Sequence, residues 1–118
     1  MSKIHMDPYI NFQGRAREAL EFYHKLLGGN LDLQALRLES DGAVLLATDG
    51  HPSYPAKAGD NMAIALRGSD RNRLSGIFNG LAEGGTVLGP LAKQSWGGEV
   101  GWLKDRFGIN WTVNIEQA

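Results

Sequence analysis

A chain of 118 residues with 42% hydrophobic residues and a formal net charge of −1 supports one domain, residues 1–118, that buries roughly two-thirds of the surface its unfolded form exposes. Its twelve basic residues are scattered singly along the chain, so no phosphate-tracking surface is signalled and nucleic acid is not an expected partner. The absence of cysteine removes disulfides, thiolate ligands and a Cys nucleophile together, and with no apolar run near the ~20 residues of a membrane span and no apolar core in Met1–Asp7, a soluble cytoplasmic protein is the expectation.

In chain order, a first strand is expected over Tyr9–Phe12. Residues 15–27, RAREALEFYHKLL, then place Ala16, Ala19, Leu20, Tyr23, Leu26 and Leu27 on one stripe at helical spacing. Gly28-Gly29 stops that helix, since glycine takes a left-handed position freely. Strands follow over Leu31–Leu38 and Ala43–Ala47, with Asp41-Gly42 as a hairpin turn between them. A fourth strand, Met62–Leu66, leads to a helix capped by Ser69 or Asp70 and carrying Leu74, Ile77, Phe78 and Leu81 on its stripe; Gly84-Gly85 ends it as the earlier pair ends the first. The chain closes with strands over Thr86–Leu88, Val100–Lys104 and Ile109–Ile115.

The order strand, helix, strands therefore occurs twice. Sliding the sequence by 56 residues matches Phe22 with Phe78, Gly28-Gly29 with Gly84-Gly85 and Asp49 with Asp105. A duplicated unit is the reading, with repeats at about 8–50 and 61–115, and the stretch HPSYPAKAGD (51–60), which holds two of the four prolines, is the linker.

This duplicated α+β plan resembles the vicinal oxygen chelate superfamily of glyoxalases, extradiol dioxygenases and bleomycin-resistance proteins, and within it the PhnB-like subfamily. The resemblance rests on PYINFQGRAREALEFYHKLLGG (8–29), VLLATDG (44–50) and GGTVLGPLAKQSWGGEVGWLKDRFGINWTVNI (84–115). It implies two βαβββ-type repeats forming a cupped, half-open β-barrel with helices outside. It also implies a homodimer, because relatives that sequester antibiotics build the pocket between two chains. One departure stands out. Relatives insert a loop where Leu31-Asp-Leu-Gln runs straight into Ala-Leu-Arg-Leu-Glu-Ser here, so the first repeat is shortened and one of its strands is expected to be missing or fused.

Metal-dependent relatives hold an ion with His, Glu or Gln side chains from four strands. The matching places here are Pro8, Ala35, Ala63 and Thr112, none of them an ordinary ligand. His5, His24 and His51 share neither a strand face nor a helical spacing. No cofactor is therefore expected, with a divalent metal ion as the alternative. The Gly-x-Ser-x-Gly and phosphate-loop motifs are absent, and the ubiquinone methyltransferase label sometimes attached to the subfamily would need a parallel sheet with a glycine-rich first turn. Catalytic residues are not assigned: Asp49, Glu99 and Asp105 have the chemistry, but carboxylates beside turns usually cap backbone groups.

Three tryptophans fall within residues 95–111. Strand alternation faces Val100 and Trp102 into the layer of Ile109, Trp111, Val113 and Ile115, so Trp102 is expected chiefly in the core and Trp111 at the boundary of core and pocket. Trp96, before Gly97-Gly98 in a loop, is expected on the pocket rim. The candidate pocket set is thus Trp96, Trp111, Asn11, Asn61 and Glu99, suited to a small aromatic or amphipathic ligand. Two other readings remain at this point: a metal-dependent lyase or dioxygenase with non-standard ligands, and a regulatory or structural dimer with no ligand.

Overall fold

The computed structural model describes residues 3–53 and 55–117; Met1, Ser2, Ala118 and Tyr54, the last within the expected linker, lie outside the described residues. The chain divides into two compact units, Met1–Lys57 and Ala58–Ala118. The first unit runs β1 (Tyr9–Asn11), α1 (Ala16–Leu27), β2 (Asn30–Asp32), β3 (Arg37–Ser40) and β4 (Ala43–Thr48). The second repeats this order as β5 (Ile64–Gly68), α2 (Arg71–Ala82), β6 (Thr86–Lys93), β7 (Glu99–Lys104) and β8 (Asn110–Ile115). Each unit has its own four-stranded sheet, ordered β1-β4-β3-β2 and β5-β8-β7-β6. In both, the first strand joins the last in parallel and the other pairs are antiparallel.

No strand of the first unit is missing. The expected single strand Leu31–Leu38 is two, β2 and β3, paired antiparallel with Leu31 opposite Leu38. A turn lies where neither glycine nor proline announces one. Asp32 Oδ1 accepts from Gln34 N at 3.1 Å and Ala35 N at 3.0 Å, and Leu36 takes φ +52°, so a side-chain acceptor folds the backbone back on itself. The Asp41-Gly42 turn forms as expected, with φ +51° and +82° and Ser40 paired to Ala43.

Each helix covers one face of its own sheet. In the first unit Ala16, Ala19, Leu20 and Tyr23 are buried with Phe12, Leu38, Leu45 and Ala47, and the Phe12 and Tyr23 rings lie 6.0 Å apart. In the second, Leu74, Ile77, Phe78 and Leu81 are buried with Leu103, Trp111, Val113 and Ile115. The helix ends differ from a simple glycine stop. Gly29 sits against the Glu39 carbonyl and Gly85 against the Lys104 carbonyl, where any Cβ would collide, so each pair admits the neighbouring strand as well as ending its helix. That contact also corrects the match of Asp49 with Asp105. Asp49 follows the fourth strand of its unit and Asp105 the third, because the second unit's β6 and β7, 8 and 6 residues long, outgrow β2 and β3 at 3 and 4.

Candidate functional site

In the second unit, strand alternation separates the tryptophans. Pairing of β7 with β8 sets Leu103 opposite Trp111 and Gly101 opposite Val113, on the face covered by α2. It sets Trp102 opposite Thr112, Val100 opposite Asn114 and Lys104 opposite Asn110, on the face the helix leaves open. Trp102 is consequently 48% exposed and not a core residue, whereas Trp111 is 2% exposed. The parity is decided by Gly101: a Cβ there would stand 2.9 Å from Phe78 Cε2, so the missing side chain admits the Phe78 ring and commits Leu103, not Trp102, to the helix side.

Trp111 is anchored through its ring nitrogen. Its Nε1 donates to Asp105 Oδ2 at 2.8 Å, while Asp105 Oδ1 accepts from Phe107 N at 2.8 Å and Ile109 N at 3.0 Å. Asp105 is buried, and these donors replace the water its carboxylate gives up. Trp111 thereby fills the second unit's core, away from the open face.

The other expected pocket residues are dispersed. Trp96, 55% exposed, lies in the turn between β6 and β7, its indole over Gly98 where a Cβ would collide with the ring. Glu99, at the start of β7, is engaged by Arg71, whose Nε lies 2.5 Å from Oε2 and whose Nη2 lies 3.2 Å from Oε1. The hydrogen bond first, and the Glu99 charge second, push the Arg71 pKa above its ordinary value. Asn61 is exposed in the segment leading to β5. That segment is tied to β8 by Asn110 Nδ2, which donates to Gly59 O at 2.9 Å and Met62 O at 3.1 Å.

Asn11 belongs to the first unit, where it borders a shallow, open depression of about 350 Å3 with Gln13, Asp49, Gly50 and His51. The polar groups there hold the local turns: Asn11 Oδ1 accepts from Gln13 N, Asp49 Oδ1 from Gly14 N and Ala16 N, and His51 Nδ1 from Ser53 N. Asp49 so caps α1 from 33 residues away.

The open face of the β5-β8-β7-β6 sheet is the candidate site. It presents Trp102 seated on Gly89, where a Cβ would lie 2.5 Å from the indole Cε2, with Asn110, Thr112 and Asn114 along the neighbouring strand. Of the four metal-position equivalents only Thr112 lies on this face; Pro8 and Ala63 precede their strands and Ala35 lies in the β2–β3 turn. Among the described residues no three His, Asp or Glu side chains gather as a metal-holding group, and no helix is long and apolar enough to cross a membrane. Sequence reasoning missed Trp102. The signal available was Gly101, a small residue between two large ones, which marks the face where a helix presses closest.

Comparison with known proteins gives a consistent picture. The family model described as 3-demethylubiquinone-9 3-methyltransferase matches residues 29–114. Protein PA1353 from Pseudomonas aeruginosa is 34% identical with a TM-score of 0.86, over 98% of this chain and 100% of that one. The PhnB protein from Bacillus cereus is 19% identical with a TM-score of 0.75, covering 96% and 100%. A glyoxalase/bleomycin resistance protein from Albidiferax ferrireducens is 17% identical with a TM-score of 0.71, covering 94% and 98%. No curated protein matches the chain.

Proposed function

The chain belongs to the PhnB-like 3-demethylubiquinone-9 3-methyltransferase family, with the glyoxalase/bleomycin resistance fold, and on that premise we propose that it is a homodimeric, metal-free binder of a small aromatic or amphipathic molecule. Trp102 is the observation that carries this reading. A half-exposed indole fixed on a glycine, on the sheet face away from α2, is a ready stacking surface, and large exposed aromatics of that kind mark ligand or partner contacts. Asn110, Thr112 and Asn114 beside it, with Lys104 and Arg67 on the same face, supply polar groups that orient a stacked ligand.

The methyltransferase in the family's description is not carried over to this chain. A nucleotide-type cofactor sits at the glycine-rich turn of a parallel sheet, and here each sheet has a single parallel pair among antiparallel ladders. Homodimer formation is supported by the exposed edges: β6 presents Val87 and Leu88 to solvent, and an unpaired edge strand with apolar side chains is normally covered.

The test is a thermal-shift and tryptophan-fluorescence screen of aromatic compounds on protein purified without chelator, together with elemental analysis and light scattering. A ligand at a hundred times its Kd stabilises the native state by about 2.7 kcal/mol, so a true ligand raises the melting temperature and perturbs Trp102. Stoichiometric zinc, nickel, iron or manganese would replace this reading with a metal enzyme. A flat response across the panel would reject it.

A further inference from the structure

Charge is unevenly divided between the two faces of the second unit's sheet. On the face with Trp102, the charged residues of the four strands are Lys104 of β7 and Arg67 of β5, both cations. Glu99, the carboxylate these strands carry, stands opposite Ile115 on the α2 side and is engaged there by Arg71. The acids that meet the two cations come from beyond the strands. Asp60 Oδ1, in the segment before β5, lies 2.9 Å from Lys104 Nζ, and Glu116, just past β8, lies 4.0 Å from Arg67.

Lys104 is the cation nearer the indole. It follows Trp102 by two residues on the same strand and face, roughly 6.5 Å along the chain, whereas Arg67 stands two strands away. Its ammonium ends a flexible four-carbon stem and its side chain is 34% exposed, so it reaches the edge of a bicyclic ring stacked on Trp102. Asp60 shows what that ammonium takes. Its backbone neighbours are pinned by Asn110, whose Nδ2 donates to Gly59 O and Met62 O, and its carboxylate, 88% exposed, is thereby presented to Lys104. An ion pair this open to water is weak, so a second carboxylate, held also by stacking, can take the ammonium from it.

We propose that Lys104 is a specificity-determining residue that selects aromatic carboxylates as the ligand class, the ring stacking on Trp102 and the carboxylate displacing Asp60 from the ammonium. This rests on the small-molecule reading above and adds to it a charge requirement and an internal competitor.

Calorimetric titration with 2-naphthoate and 2-naphthamide in low-salt buffer tests it, since the two match in shape and differ in charge. The native protein binds 2-naphthoate about twofold more tightly, because Lys104 leaves one carboxylate for another. Asp60→Asn removes the competitor and widens the preference to about fivefold, the upper range for an exposed charge pair. Lys104→Met, which keeps the stem, abolishes the preference, and in that background Asp60→Asn changes nothing, so the effect belongs to the pair and not to net charge. Equal binding of the two compounds by the Asp60→Asn protein overturns the role of Lys104 and leaves the binding function standing. A preference that survives Lys104→Met overturns it as well. Binding of neither compound overturns the inference and counts against the small-molecule reading together.

Discussion

The first unit joins its second and third strands through a four-residue turn between ladders of 3 and 4 residues, whereas the second unit extends the same pair to 8 and 6. Both keep the same strand order, the same parallel closure and the same glycine contact between helix end and third strand. The plan therefore tolerates loss of its outer arms because the core lies under the central strands: Leu38, Leu45 and Ala47 in one unit correspond in role to Leu103, Trp111 and Val113 in the other. What the longer arms add is surface chemistry. All three tryptophans lie in the second unit, two of them more than 40% exposed, whereas the exposed aromatic of the first unit is Tyr9 at the start of β1.

That difference can be broken from either side. Trp111→Ala removes a ring that is wholly inside the second unit, and should cost about 3–5 kcal/mol, read as a lower guanidinium midpoint. Asp105→Ala leaves the Trp111 Nε1 and two backbone donors without their acceptor and should cost about 2–3 kcal/mol. Because the two residues are hydrogen-bonded, the double variant should lose clearly less than the sum, a coupling that a double-mutant cycle measures. In the first unit, Asp49→Ala removes the acceptor for Gly14 N and Ala16 N and should cost about 1 kcal/mol. Since tryptophan fluorescence reports the second unit alone, that loss is to be followed by circular dichroism of the helices; a change seen first in the fluorescence would contradict the assignment of Asp49 to α1. Trp102→Ala should cost roughly 1 kcal/mol or less in stability yet abolish binding of aromatic ligands, the reverse of the pattern for Trp111. Glu99→Gln should have the smallest effect, a slight fall in melting temperature that vanishes at high salt, because Arg71 meets it at the surface.

The helices were legible to within a residue because their signals are local. Ala16 to Tyr23 and Leu74 to Leu81 repeat at helical spacing, and a glycine pair follows each. The turn at Leu33–Leu36 was not, since its cause is the Asp32 carboxylate accepting two backbone donors in a run that otherwise reads as one strand. Equivalence of Asp49 and Asp105 was suggested by a constant offset, which holds only as far as the second strand; beyond it the longer arms of the second unit displace the register. The candidate site was reached in part. Thr112 was read as facing the cup and lies on the face away from α2, whereas Trp102, expected chiefly in the core, lies on that face too, and Trp111, expected at the boundary of core and pocket, is buried.

By itself the sequence determined the periods of its elements, the duplicated order of strands and helices, and the family. These follow from residue spacing and from motif residues that act on their immediate neighbours. Tertiary structure alone decided which of two apolar alternations in β7 would be covered. Alternation says that Trp102 and Leu103 face opposite ways, but only the docking of Phe78 into the space left by Gly101 says which of them is enclosed.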